Sequence, residues 1–300
     1  MSAPGPAHST PLAWLEAERA RIDGWLADHV RGLSATASPH SRLIEAVGYS
    51  LQAGGKRVRP ILVVECARIC GGTDEHARPA ALAIECVHTF SLVHDDLPAM
   101  DDDDLRRGVP TNHKVFGEAL AVLAGDWLLA HALAQASEAS TPHVATRLTS
   151  VLAEGVKAMI VGQAADIAGE RRAPDGDLVD FIHLHKTARL IETACRLGAV
   201  SAGACDAETN DLGEYGRRLG IAFQIADDLL DLTGSAAAAG KRVRKDADKS
   251  KQTYPAVHGV EASRRRAALE VESALACIER FGSRGVRLRE LAHYAAARDH

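Results

Sequence analysis

The chain has 300 residues, of which 46% are hydrophobic and 25% are charged, and its formal net charge is −5 at pH 7. This ordinary globular composition excludes a disordered or fibrous chain, and the negative charge argues against a general nucleic-acid binder. Aromatic residues make up only 4% of the chain, which also argues against surfaces that stack on bases.

The N-terminal segment, residues 1–11, is rich in Pro, Ser, Ala and Gly and lacks the basic start and apolar stretch of an export signal. We predict a frayed tail there and one domain over residues 12–300. No apolar run reaches the length of about 18–20 residues that spans a bilayer, so no membrane span is expected. Six cysteines without a Cys-x-x-Cys pair favour buried free thiols in a reducing compartment, and hence a cytoplasmic protein.

Helical periodicity dominates the chain, and strand-like alternation is scarce. Between residues 81 and 93, apolar side chains recur at steps of four, four and three residues, at Leu82, Cys86, Phe90 and Val93. Helix breaks are expected at Gly71-Gly72, Pro79, Pro98, Pro110, residues 174–176, Gly234 and Pro255. These breaks predict ten or more helices of about 10–25 residues in one all-α domain, which is large enough to bury a core and enclose a cavity.

Three cations, Lys56, Arg57 and Arg59, follow a flexible diglycine at positions 54–55. Guanidinium groups suit phosphate oxygens because they donate two parallel hydrogen bonds. Further along, His88 lies seven residues before Asp95, two turns up the same helical stripe, where it can donate to a second phosphate. The alternative for His88 is a hydrogen-bonded residue of the core.

The first acidic cluster places six aspartates within residues 95–104. Aspartate oxygens suit Mg²⁺, which proteins commonly hold with one or two carboxylates plus substrate phosphates. Asp95 and Asp101 would lie about 120° apart on an unbroken helix, but Pro98 cannot sustain that helix. The chain must therefore bend, which can bring both carboxylates onto one ion. The alternative is a solvated acidic loop that caps the next helix.

A second acidic cluster reads as part of a helix. At about 100° per residue, Gln224, Asp227, Asp228 and Asp231 fall within an arc of roughly 100°. Such a face needs a positive partner, and position 232 is Leu, so the next turn does not supply one. Two acidic helical segments far apart in sequence therefore suggest facing walls of one metal-filled cavity.

Four segments together resemble trans-isoprenyl diphosphate synthases, and bacterial farnesyl diphosphate synthases among them: GGKRVRP, LVHDDLPAMDDDDLRRGVPT, HKTARLIETACRLGA and AFQIADDLLDLTG. The resemblance runs from about Ser41 to the C-terminus. It implies an all-α bundle around a deep central cavity, usually dimeric, and an Mg²⁺-dependent head-to-tail condensation of isopentenyl diphosphate with an allylic diphosphate, with three Mg²⁺ ions bound. The expected main product is farnesyl diphosphate.

The resemblance also implies roles for individual residues. The metal-binding set, with supporting carboxylates, comprises Asp95, Asp96, Asp101, Asp227, Asp228 and Asp231. The isopentenyl diphosphate site comprises Lys56, Arg59, His88 and Arg107. The allylic diphosphate site comprises Arg106, Lys186, Thr187, Gln224 and Lys241. Asp95, Asp101, Lys186 and Asp227 are expected to carry the catalysis. Arg298 is expected to close over the isopentenyl site.

Two features bear on details of the expected activity. Arg244 and Ser250 stand where the family often has glycine, which puts the closure of that loop in doubt. Phe90 and Ser91 lie just before the first acidic cluster, and the resemblance gives them the role of a floor that limits the product to fifteen carbons. The alternative is that Phe90 belongs to the core.

Other activities remain alternatives at this point. The product can instead be geranyl or geranylgeranyl diphosphate. A class I terpene cyclase shares the first acidic wall, but usually carries an Asn/Ser/Glu metal triad on the second and has no use for GGKRVRP. A regulatory subunit is expected to lose one wall, whereas both acidic segments are intact here.

Overall fold

Helices make up almost all of the regular structure in this computed structural model, which describes residues 13–36, 41–139, 141–170, 172–233 and 252–296. The helices of the first half are α1 Ala13–Thr36, α2 Ser41–Leu51, α3 Val58–Ile69, α4 Asp74–Asp95, α5 Asn112–Phe116, α6 Glu118–Ser137 and α7 Pro142–Gly169. Those of the second half are α8 Gly176–Ile182, a π-helical segment His183–Ala188, α9 Arg189–Ser201, α10 Asp206–Thr233, α11 Tyr254–His258, α12 Val260–Cys277, a 3₁₀ segment Glu279–Gly285 and α13 Val286–Ala296. The predicted all-α class is confirmed.

Within the described ranges, the only regular secondary structure other than helix is a small hairpin. Strands β1 Leu105–Arg106 and β2 Val109–Pro110 pair antiparallel directly after the first acidic cluster. Several of the predicted features, namely the tail at residues 1–11, Lys241, the stretch 244–250 and Arg298, lie outside the described residues. The boundary of a single domain at residues 12–300 stays a prediction.

The core is built around α3, α4, α9 and α10. α4 packs along α6, α3 lies against α4 and α9, and α10 is held between α9 and α12. α3 and α9 are buried along nearly their whole length, and the apolar stripe predicted on α4 is buried at Leu82, Cys86, Phe90 and Val93. The C-terminal ends of α4 and α10, which carry the two acidic clusters, are therefore fixed by a dense interior.

The helix break predicted at Pro79 is wrong, because α4 runs through this residue. The helix begins after Thr73, whose hydroxyl accepts a hydrogen bond from the backbone N–H of His76. Pro79 removes the hydrogen bond to the carbonyl of Glu75, an exposed residue whose carbonyl can turn to water instead. Pro255 lies in the first turn of α11, where the lost N–H has no helical partner anyway.

Helix α6 qualifies the expectation about membrane spans. By length and composition alone it could cross a membrane, with 20 residues and a mean hydropathy of 1.4. It also carries Asp126 and packs closely along α4, since a Cβ on Gly125 would overlap the imidazole of His94. Part of its apolar face thus serves a helix–helix contact, and its composition is only weak evidence for a span.

All six cysteines are free thiols. Cys66, Cys86 and Cys195 are buried, whereas Cys205 is exposed. Burial raises the pKa of the Cys86 thiol to about 12, which keeps it protonated and unreactive at neutral pH. The prediction of buried thiols therefore holds for half of the set.

A pair of half-buried histidines joins α1 to α6. The Nε2 atoms of His29 and His131 lie 2.7 Å apart, and His131 stacks on Trp127. Burial lowers the pKa of His29, against the charge of Glu138, and burial with His29 beside it lowers that of His131 to about 4.

We expect the melting temperature to fall as the pH is lowered from about 6.5 towards 4. The unfolded chain takes up protons on both imidazoles in this range, whereas the folded chain takes up fewer because both pKa values are lowered. His131→Gln should flatten this dependence, and His143→Gln, at an exposed histidine, is the matched control. Equal pH slopes for wild type and His131→Gln would contradict the expectation. Thermal unfolding followed by circular dichroism at several pH values measures it.

Candidate active site

The loop before α3 separates the three cations of the GGKRVRP segment. Lys56 is exposed, whereas the side chain of Arg57 is only 1% exposed. Arg57 has a backbone φ of 51°, so the chain turns sharply between Lys56 and Arg59. Sequence reasoning grouped Arg57 with the phosphate-binding cations, but the structure turns it into the interior.

Arg107 is bound to this loop by a close contact at Gly55. Gly55 has φ +129°, and a Cβ there would lie 2.5 Å from the guanidinium carbon of Arg107. Arg107 also donates a hydrogen bond to the carbonyl of Gly54. Only glycine allows this approach, so the hairpin after the first acidic cluster is placed beside the loop that carries Lys56 and Arg59.

Arg59, His88 and Arg107 form a half-buried electropositive group. Burial lowers the pKa of Arg59 to about 10; Arg107 adds to that effect, while Glu85 and Asp227 oppose it. Burial and the charges of Arg59 and Arg107 hold the pKa of His88 well below its ordinary value, so His88 is neutral. The Nε atom of Arg59 is buried without a hydrogen-bond partner in the described part of the chain. The positive charges and the unpartnered donor of this group therefore favour the binding of an anion.

The first acidic cluster bends as the position of Pro98 requires. α4 ends at Asp95, and the backbone N–H of Asp101 donates to the carbonyl of Asp95 at 2.8 Å. Burial raises the pKa of the Asp95 carboxyl to about 6; Asp101 adds to the rise and Lys186 opposes it. A buried carboxylate beside like charges favours a bound cation.

Asp96 forms an ion pair with Arg106. It is buried, and its carboxylate accepts hydrogen bonds from Arg106, one of them from Nε at 2.9 Å. Asp103 also lies within 3.3 Å of the Arg106 guanidinium. We therefore assign Asp96 and Arg106 to holding the hairpin under the aspartate turn. Both of these hydrogen bonds reach Oδ1 of Asp96, and the place of Asp96 in the metal-binding set stays a prediction.

The π-helical segment presents Lys186 and Thr187. The Nζ atom of Lys186 lies 2.5 Å from Asp166 of α7, and Thr187 donates to the side-chain oxygen of Gln224 at 2.7 Å. α7 approaches this segment at Gly162, where a Cβ would overlap the backbone of Lys186. π-helical turns often occur at functional sites because they re-aim side chains.

Within the second acidic cluster, Asp228 is a structural residue. It is buried and accepts hydrogen bonds from the side-chain amide of Gln224 at 3.0 Å and from the backbone N–H of Tyr254 at 2.8 Å. The Nε2 atom of His183 lies 3.0 Å from the same carboxylate. Asp228 thus ties α10 to the π-helical segment and to α11, whereas Asp227 and Asp231 are half-buried.

Each acidic cluster lies near a cation from another element. Lys186 lies within electrostatic reach of Asp95, and Arg59 lies within reach of Asp227. In the described ranges no three Asp, Glu, His or Cys side chains converge on a point as a complete metal cage. This donor set fits Mg²⁺, which is usually held by one or two carboxylates together with phosphate oxygens.

A cavity of about 250 Å³ opens beside Lys56. Ile191 and Phe223 contribute to its walls from α9 and α10, and Leu291 and Tyr294 do so from α13. The lining is mostly apolar and also includes Glu16, Arg19 and Lys56. An apolar lining with cations beside it suits a ligand that joins a hydrocarbon chain to an anionic group.

Sequence reasoning missed Glu85, Asp166 and His183, each of which holds a predicted site residue or its neighbour. All three lie on helical segments outside the quoted motifs, where a single polar residue carries no signal of its own. A buried charge needs a partner, so the position of Glu85 on the apolar stripe of α4 was the available signal.

Comparisons with known proteins agree with this geometry. The sequence profile of the polyprenyl synthetase family matches residues 40–281. The chain is similar to a farnesyl diphosphate synthase of Geobacillus stearothermophilus, with 40% identity over 96% of this chain and 97% of the relative. It is also similar to a chloroplastic geranylgeranyl pyrophosphate synthase of Catharanthus roseus, with 44% identity over 86% of this chain and 74% of the relative.

Among solved structures, the chain is similar to a geranyltransferase of Helicobacter pylori that was crystallised with magnesium and isoprenyl diphosphate. The TM-score is 0.80 and the sequence identity is 30%, over 97% of this chain and 98% of the other.

Proposed function

Because the chain belongs to the polyprenyl synthetase family, we propose that it condenses isopentenyl diphosphate head to tail with dimethylallyl or geranyl diphosphate and releases mainly farnesyl diphosphate. The observation that carries this proposal is that each acidic cluster has a cation from another element beside it, with Lys186 near Asp95 and Arg59 near Asp227. The aspartates of both acidic clusters are present, which argues against a regulatory subunit.

In this proposal the electropositive group binds isopentenyl diphosphate. Arg59, Arg107 and Lys56 donate to the diphosphate, and neutral His88 donates without adding to the repulsion among the arginines. The unpartnered Nε of Arg59 supports this assignment, because a buried donor is costly unless an acceptor reaches it.

Asp95 and Asp101 on one side, with Asp227 and Asp231 on the other, are the residues proposed to hold Mg²⁺ together with the allylic diphosphate. The bound ions supply positive charge that stabilises the departing diphosphate; three ions, as the resemblance implies, are part of this proposal. Lys186, Thr187 and Gln224 orient the same group by charge and hydrogen bonds. Lys241 is proposed to join them.

The reaction requires no nucleophile from the protein. The allylic C–O bond breaks, the isopentenyl double bond attacks the resulting carbocation, and the proton lost from the new chain passes to the released diphosphate. The protein orients the two diphosphates and surrounds the cation with apolar side chains that exclude water.

The proposed product of fifteen carbons depends on Phe90. Its ring is buried, contacts the imidazole of His94 edge-on, and lies about 7–8 Å along α4 from Asp95. Similarity to both farnesyl and geranylgeranyl synthases leaves geranylgeranyl diphosphate as the second candidate product.

Phe90→Ala should therefore lengthen the main product beyond fifteen carbons, because removing the ring extends the room below the first wall. Phe281→Ala, at another buried phenylalanine far along the chain, controls for the general cost of lost packing. Chromatography of the dephosphorylated alcohols reports the chain length. An unchanged product with Phe90→Ala would assign Phe90 to the core alone.

The proposed function is tested with purified protein, isopentenyl diphosphate, dimethylallyl diphosphate and Mg²⁺. A linear prenyl diphosphate supports the proposal, and its chain length selects between the two candidate products. A cyclic hydrocarbon would instead indicate a terpene cyclase, and absence of any product would indicate a regulatory subunit.

We also propose that the protein acts as a homodimer in the cytoplasm. Val122 and Leu123 on α6 and Ile160 and Val161 on α7 are exposed apolar residues. A second copy packed on this surface would remove them from water. Light scattering coupled to size-exclusion chromatography would give twice the mass of one chain, and a monomer at assay concentration would refute the dimer.

A further inference from the structure

Arg57 stands between two cations of the proposed isopentenyl diphosphate site and faces away from both. Its side chain is 1% exposed, whereas Lys56 next to it is exposed. A side chain so deeply buried does not touch a substrate. A cation in the interior needs partners that offset the loss of water.

Every nitrogen of the Arg57 guanidinium has a partner, and the partners come from three helices. Nη1 lies 2.5 Å from Glu85 of α4, Nε lies 2.8 Å from Asp23 of α1, and Nη2 donates to the carbonyl of Leu51 in α2 at 2.8 Å. Burial alone would lower the pKa of Arg57, but Glu85 and Asp23 hold it above the ordinary value. The guanidinium is thus a fully satisfied cross-link.

The backbone at Arg57 requires such a cross-link. Its φ of 51° is in the left-handed region, which residues other than glycine adopt only when their surroundings enforce it. This turn sends Lys56 outward and leads into α3, whose first turn carries Arg59. The direction of both site cations therefore follows from how firmly Arg57 is held.

Glu85 has a second effect on the same site. Its charge opposes the lowering of the pKa of Arg59 and of Arg107 that burial causes. It also lies one helical turn before His88 on α4. One buried carboxylate thus contacts Arg57 and offsets the repulsion among the arginines that line the site.

We propose that Arg57 and Glu85, completed by Asp23, are positioning residues for the isopentenyl diphosphate half of the site. Their ion pairs hold the loop so that Lys56 and Arg59 point at one diphosphate, and none of the three touches the substrate. This inference rests on the proposed function.

The test compares the kinetic constants for the two substrates. Arg57→Lys keeps the charge but cannot reach three partners, so the KM for isopentenyl diphosphate should rise about tenfold or more, because small misplacements of binding groups are costly. The KM for geranyl diphosphate should change less than about twofold. Glu85→Gln, which keeps the shape and one hydrogen bond, should give a smaller rise with the same selectivity. Arg31→Lys, in an exposed ion pair of α1, is the matched control.

The outcomes separate the positioning role from the function itself. If wild type forms product and Arg57→Lys or Glu85→Gln raises both KM values equally, or neither, the positioning role is refuted and the function stands. If wild type forms no product, the proposed function and the positioning role are both refuted. Circular dichroism and the melting temperature show whether each variant is folded, and should Arg57→Lys not fold, the isosteric Glu85→Gln decides by the same criterion.

Discussion

Asp95→Asn should lower kcat by about 10³-fold while the protein stays folded. The substitution removes one charge from the proposed metal-binding wall, and losing a single preorganised electrostatic contact at a reacting centre typically costs 10²–10³ in rate. The half-saturating Mg²⁺ concentration should rise as well. Asn has nearly the shape of Asp, so the backbone turn to Asp101 is preserved.

Asp102→Asn is the matched control in the same acidic cluster. Asp102 is exposed and has φ 51°, a conformation that Asn tolerates, so the variant should keep wild-type turnover. Initial rates with radiolabelled isopentenyl diphosphate over a series of Mg²⁺ concentrations measure both variants. Equal rates for Asp95→Asn and wild type would remove the first wall from the mechanism.

Lys186→Ala should lower kcat by about 10²-fold and raise the KM for the allylic diphosphate. The variant loses a cation near Asp95 and removes the ion pair between Lys186 and the buried Asp166. The expected effect on the KM for isopentenyl diphosphate is small, because Lys186 belongs to the opposite group of donors.

A double variant separates the two functions of this lysine. In Lys186→Ala with Asp166→Asn, the buried negative charge that Lys186 offset is also removed, so stability should recover while turnover stays low. Recovery of turnover in the double variant would show that Lys186 acts only by neutralising Asp166. Lys157→Ala, at an exposed lysine of α7 paired with Glu154, is the control and should behave as wild type.

The periodicity of the sequence was sufficient to predict the all-α class and the buried stripe of α4. Both depend on local rules, because the spacing of apolar residues sets which face of a helix is buried. The bend between Asp95 and Asp101 was predictable for the same reason, since Pro98 removes a local hydrogen bond. The course of α4 through Pro79 was not, because it depended on whether the carbonyl left over faces water.

The same distinction between local and long-range information applies to the candidate site. Spacing and resemblance indicated which residues belong to the two acidic walls, and that information is contained in short segments. Arg57 turns inward to Asp23, 34 residues away, and Asp96 pairs with Arg106, 10 residues away. The buried Asp228 lies beside His183, on a different helical segment. Only the tertiary structure decides these, because a charge that leaves water goes wherever the packed helices bring an opposite charge within reach.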